Sequence, residues 1–170
     1  MNHESSFYKF MCDTLTFCLD LAGLEWKCPH PIPGEGRSYF TEEYGDAVYR
    51  HRCAFEEAYR RMVRAIPSKV FLEPVQIMQY LQNGIIGNFN KSTVVQGLFK
   101  SCSLLVDTAI FCFRYHRRDL VDGCFHQAII YLYEEHVGVL FEGDTIGVWQ
   151  DILITGKQFE YECCPKSMTN

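Results

Sequence analysis

What this 170-residue chain lacks first is alternation: no stretch switches between apolar and polar residues for long enough to build a sheet. It also has no HExxH, no GxSxG, no phosphate-binding loop and no dinucleotide glycine fingerprint, so the common hydrolase and nucleotide-binding classes find no foothold. Nine cysteines are present, an odd number, with no CxxC pair and no regular spacing, which reads as a reducing, intracellular compartment. Positive charge is in short supply. At a net charge of -5 and a pI near 5.7, no general attraction to nucleic acid or to an anionic membrane is expected. Arg60-Arg61 and the arginines of 114–118 read as solvated helix ends. The opening MNHESSFYKF has neither the basic region nor the long apolar run of a secretory signal, and the polar tail 157–170, with Pro165, carries no anchor. The expectation is one soluble, cytoplasmic domain over 1–170 with its core in about 5–154.

What is there is a globular composition, 48% hydrophobic and 22% charged, with one stretch far more apolar than the rest. That stretch is 94–113, VVQGLFKSCSLLVDTAIFCF. Val94, Val95, Leu98, Cys102, Leu105, Val106, Ala109, Ile110 and Phe113 recur in steps of three and four, a broad helical stripe. The other side is thinly polar: Gln96, Lys100, Ser103 and Asp107. Such a helix, roughly 30 Å long, is too polar to cross a bilayer and too apolar for solvent. Other helices must wrap it.

Candidates for that wrapping can be read in order. A first helix capped by Ser5 or Ser6 buries Phe7, Phe10, Met11, Thr14, Cys18 and Leu21 and stops at Gly23. The loop KCPHPIPGEGRS follows, with three prolines and two glycines. A second helix is expected over about 42–66, ended by Pro67, with Val48, Phe55, Tyr59, Met62, Val63 and Ile66 on one face. Pro74 opens a shorter helix carrying Val75, Ile77, Met78 and Leu81, ended by Asn83-Gly84, and 85–90 forms a loop. After the central helix, about 92–114, the turn RYHRRD leads to a helix over 119–136 and two short pieces at 139–142 and 147–154. The fold class is all-α, a bundle around a central apolar helix.

The residues that carry chemistry elsewhere do not assemble here. Cys28 and His30 share the proline-rich loop, but two ligands do not make a zinc site. His51 and Cys53 are two apart on one helix and diverge, so they cannot pair as base and nucleophile. Glu134, Glu135 and His136 are adjacent and point in different directions. His116, His126 and His136 recur every ten residues, but the turn before Asp119 breaks the helix that would align them. Cys163-Cys164 has no flanking base. No cofactor, metal or catalytic residue is expected.

Four stretches, in order, resemble motifs of the Bcl-2 family of apoptosis regulators. SSFYKFMCDTLTFCLDLAGLEW is similar to the family's fourth homology motif, with Asp13, Leu15, Phe17, Leu19, Gly23 and Trp26 at the matching places. FEEAYRRM resembles the tail of the BH3 segment of pro-survival members through Phe55, Glu56, Tyr59, Arg60 and Arg61. GNFNK stands where the family has Asn-Trp-Gly-Arg at the head of the central helix, with Asn88, Phe89, Asn90 and Lys91 as counterparts; a rival register puts 90–93 there and leaves no basic residue. GVWQDIL resembles the Gly-Gly-Trp motif through Gly147 and Trp149, with one extra residue between them.

The resemblance implies a helical bundle whose surface groove takes up the BH3 helix of a partner. It assigns Phe55, Tyr59, Met62 and Val63 to one wall, Ile77, Tyr80 and Leu81 to the facing wall, and Val94, Val95 and Leu98 to the floor. Asn88 and Asn90 border it; Asn88 would cap the central helix, and Lys91 would pair with the ligand's aspartate as a point charge without arginine's fork. Where a killing member's own BH3 segment has a small residue and Asp, this chain has Arg52 and Cys53, which implies a protein that captures others. The implied partners are BH3 segments of host pro-apoptotic proteins such as Bim, Bak and Bax, bound without nucleic acid or a membrane anchor. The short first loop and divergent motifs are similar to soluble viral homologues, for instance from a large DNA virus such as an iridovirus, acting in the host-cell cytosol. The alternative is a Bcl-2-fold inhibitor of immune signalling, or a homodimer, with a closed groove.

Overall fold

Thr93 fixes where the central helix begins. Its hydroxyl accepts from the Gln96 amide at 3.3 Å, and the Gln96 side chain accepts from the Thr93 amide at 3.2 Å, the reciprocal pair of a capping box. The computed structural model describes residues 3–29, 38–54, 73–143 and 145–163, and among these all regular structure is helical. In order the helices are α1 (His3–Leu21), α2 (Glu42–Ala54), α3 (Pro74–Asn90), α4 (Val94–Arg114), α5 (Arg118–Leu132) and α6 (Thr145–Cys163). A π turn at Tyr133–Val137 and a 3-10 turn at Gly138–Glu142 join α5 to α6.

Helix α4 touches each of the other five described helices. Leu98, Phe99, Leu105, Val106, Ala109 and Cys112 are fully buried, which is the wrapping that the apolar stripe demands. By length and composition α4 is in fact long and apolar enough to cross a membrane, a correction to the sequence reading; 72% of its apolar window is buried inside the protein.

The helix ends obey local rules. At the end of α1, Gly23 sits at φ 78, its amide reaching Asp20 O at 2.9 Å and that of Leu24 reaching Leu19 O at 2.8 Å. This is the paired closure of a Schellman turn. The same pattern ends α4: His116, at φ 59, donates to Phe113 O and Arg117 donates to Cys112 O. The break expected before Asp119 is thus built on a left-handed histidine.

Several expected boundaries move. Helix α1 starts at His3, so Ser6 is a buried residue inside it and not its cap. Its buried face takes Leu15 and Leu19, while Leu21 is exposed. Helix α3 does not stop at Asn83-Gly84 but runs on to Asn90. The reason is packing: a Cβ on Gly84 would lie 2.5 Å from Leu104 Cδ2, so the glycine seats an α4 side chain, and Ile85 beyond it is fully buried. Five residues on, Phe89 lies over Gly97, whose Cβ would meet its ring at 2.5 Å. Pairs 84 with 104 and 89 with 97 run in opposite order, as antiparallel neighbours must. The expected 119–136 helix is α-helical only to Leu132. There it widens into the π turn, closed by the Gly138 amide on Tyr133 O. The last helix is longer than expected and takes in part of the supposed polar tail, to Cys163.

Candidate partner-binding site

Of the residues assigned to a groove, Phe55, Tyr59, Met62 and Val63 lie outside the described residues, as does the whole FEEAYRRM stretch. The rest divide into two groups. Ile77, Leu81 and Leu98 are fully buried and Tyr80 nearly so, all within the core cluster. Val94 and Val95, in the first turn of α4, are half-buried, as is Asn88, while Asn90 and Lys91 are exposed.

The capping box at Thr93 fixes the head of the central helix. Asn88, Phe89 and Asn90 form the last turn of α3 and Lys91 is its C-cap, so none of them heads the central helix, and the cap expected of Asn88 belongs to Thr93. Asn88 instead donates to Ser101 Oγ of α4 at 3.4 Å. Phe89 stacks on His136 with ring centroids 4.4 Å apart and planes 9° from parallel. Burial lowers the pKa of His136, partly offset by Glu135, which favours the neutral ring in that stack. Lys91, at a helix C-terminus, places its positive charge beside the carbonyl end of the α3 dipole. The motif's four residues thus act first as the joint between α3 and α4, with Asn90 and Lys91 left facing solvent.

Arg52 is buried. Its Nε donates to Asp107 Oδ1 at 2.8 Å, with 6% and 10% of the two side chains exposed. The guanidinium of α2 therefore neutralises the carboxylate on the buried run of α4, and Cys53 beside it is exposed. Sequence reasoning missed this pair. The signal was a single carboxylate in a nearly apolar helix, which cannot be buried without a partner.

The first and fourth motifs are structural anchors. Trp26, 6% exposed, donates its indole N–H to Asp122 Oδ1 of α5 at 2.9 Å, tying the chain after α1 to the bundle. Asp13 accepts from Ser38 Oγ. Trp149 is buried in α6, stacked on Tyr39 at 4.5 Å and packed against Phe10 at 5.0 Å and Phe141 at 5.4 Å.

The histidines singled out in the sequence lie in separate surroundings. His51 packs edge-on against the stacked rings of Phe99 and Phe159, at 5.2 and 5.4 Å, and burial, helped by the nearby Lys100, lowers its pKa to about 4. Its ring is buried, and that burial favours the neutral form. His116 sits in the turn after α4, His126 on α5 and His136 in the π turn, so their regular spacing has no spatial counterpart. Among the described residues no group of three His, Cys, Asp or Glu is placed to hold a metal.

Two open surface cavities are formed by described residues. One of about 620 Å³ lies between α1 and the segments flanking α2's approach, lined by Phe17, Trp26 and Phe40 with Asp13, Asp20 and Glu25. The other, about 520 Å³, lies between α3 and α5, with Val75, Met78 and Leu120 at its apolar side. Neither is lined by a residue assigned to the groove. Comparison of the chain with protein-family models, with curated proteins and with solved structures finds no match.

Proposed function

We propose that this chain is a pro-survival binding module of the Bcl-2 type that captures the BH3 helices of pro-apoptotic proteins, and does no chemistry of its own. The observation that carries the reading is α4, an apolar rod touched by every other described helix, with four motif-like stretches in matching order along the chain. Its first turn leaves Val94 and Val95 half-buried next to the exposed Lys91. That juxtaposition offers apolar anchors and one positive charge to an amphipathic helix. Each anchor fully buried contributes roughly 1.5–3 kcal/mol before ordering costs are subtracted. The engagement of Arg52 by Asp107 supports capture over display, because a segment whose cation is spent inside the protein is a poor ligand for another groove. The place of action that goes with this reading is the host-cell cytosol, as the resemblance to viral homologues implies.

A second reading is favoured by the register of the third motif. With Asn88 and Phe89 consumed in the α3–α4 joint, a closed groove and a role as an immune-signalling inhibitor or homodimer fits the same bundle. Calorimetry with a panel of BH3 peptides separates the two. Micromolar or tighter binding of at least one peptide is expected, and silence across the panel at high micromolar concentration overturns the capture reading.

A further inference from the structure

Cys12 of α1 and Cys28, in the extended segment after it, meet sulfur to sulfur at 3.0 Å. Both are thiols in this structure, about 1 Å farther apart than the roughly 2.05 Å of a disulfide bond. Nothing in the sequence spacing of the cysteines pointed to this partner. The two sulfurs differ in access: Cys12 is 7% exposed, while Cys28 is partly open to solvent. Tyr8 closes the far side, its hydroxyl 3.8 Å from Cys28 Sγ and 2.6 Å from His126 Nδ1 of α5. Other buried thiols point elsewhere: Cys18 to Gly45 O, Cys102 to Met11 Sδ and Cys124 to Pro74 O.

We propose that Cys12 and Cys28 form a reversible dithiol–disulfide couple that exchanges with low-molecular-weight disulfides. Cys28, the accessible sulfur, gives up its proton and attacks one sulfur of the small disulfide. That S–S bond breaks, and the departing half leaves as a thiolate that takes a proton. Cys12 then loses its proton and attacks Cys28 Sγ, displacing the second half as a thiol. The protein loses two electrons and gains one S–S bond; the small disulfide gains two electrons and becomes two thiols. Burial, with the neighbouring Cys28, raises the pKa of Cys12, so Cys12 waits as a thiol and serves as the resolving partner. The new bond closes residues 12–28 into a ring and ties 24–28 to the middle of α1, restricting the unfolded chain. The couple stands independently of partner capture.

Trypsin provides the test, because Lys9, Lys27 and Arg37 place Cys12 in peptide 10–27 and Cys28 in peptide 28–37. The full chain is equilibrated in glutathione buffers of increasing oxidised fraction, quenched by alkylation, digested and weighed. A linked 10–27/28–37 species is expected to grow with the oxidised fraction and vanish under dithiothreitol. It should persist in Cys18→Ser, which removes the other cysteine of peptide 10–27. Cys12→Ser is expected to stop at a glutathione adduct on Cys28, and the oxidised wild type to melt several degrees above the reduced form, a rise absent in Cys12→Ser. Cys28 fully glutathionylated in the wild type with no linked peptide overturns the proposal. So does equal linkage of Cys28 to other cysteines or between chains.

Discussion

Asp107 is the only carboxylate in α4, and its position determines how a charge is tolerated inside this bundle. A carboxylate 8% exposed among leucines and valines is stable only if paired, and Arg52 supplies the pair from α2 at 2.8 Å. Such a pair adds little net stability over a well-packed apolar pair, yet removing one member strands the other. Asp107→Asn should therefore lower the unfolding free energy by about 3–5 kcal/mol in urea titrations, while the joint replacement Arg52→Met with Asp107→Leu should recover most of it. His51 makes the complementary case, a histidine buried as the neutral ring. Its folded pKa, about 4, lies below the ordinary 6.5, so below pH 6.5 the unfolded chain binds more protons than the native one. Its contribution is present above pH 6.5 and is lost as pH falls toward 4. His51→Phe should flatten that part of a stability–pH profile measured by chemical denaturation, and an unchanged slope would count against the buried neutral ring.

At the scale of elements, α3 and α4 are held close by glycine on both sides. Gly97 is the tighter contact, since a Cβ there would meet three atoms of the Phe89 ring between 2.5 and 2.8 Å, and that ring is itself stacked on His136. Alanine gains about 1 kcal/mol of helix propensity over glycine, while overpacking a well-filled contact costs about 1–3 kcal/mol. Gly97→Ala should thus melt below the wild type, and Phe89→Leu in that background should restore part of the loss. This contact also shows where sequence reading ends. The α4 stripe, the stop at Gly23 and the break before Asp119 are local signals, carried by residues that touch their own turn, and all three were legible. Gly84 looks the same whether it ends a helix or makes room for Leu104; only the partner helix distinguishes the cases, so α3 was cut short. The head of α4 was legible after all, in the Thr-x-x-Gln of 93–96, a capping box that fixes it independently of any resemblance. Of the assigned site residues, Ile77, Leu81 and Leu98 share their periodicity with ordinary core, and a stripe cannot say which of its members a partner would reach.

For the whole molecule, the question is whether one rod can serve both as core and as floor of a binding surface. The middle and end of α4 are enclosed, from Gly97 to Cys112, while its first turn is only half-covered. Stability and partner capture should therefore separate along its length. Lys91 stands just outside the enclosed part, exposed at the C-cap of α3. Reversing it places a negative charge at the carbonyl end of α3, which costs only some 0.3–1 kcal/mol of helix stability. Against a BH3 aspartate, the same reversal replaces attraction by repulsion at a surface site. Lys91→Glu should keep the helical circular dichroism of the wild type and weaken peptide binding roughly tenfold, about 1.4 kcal/mol. The penalty should shrink as salt is raised, because an exposed pair is screened. Equal affinity of wild type and Lys91→Glu at low salt would remove Lys91 from the proposed contact and move the site away from the start of α4.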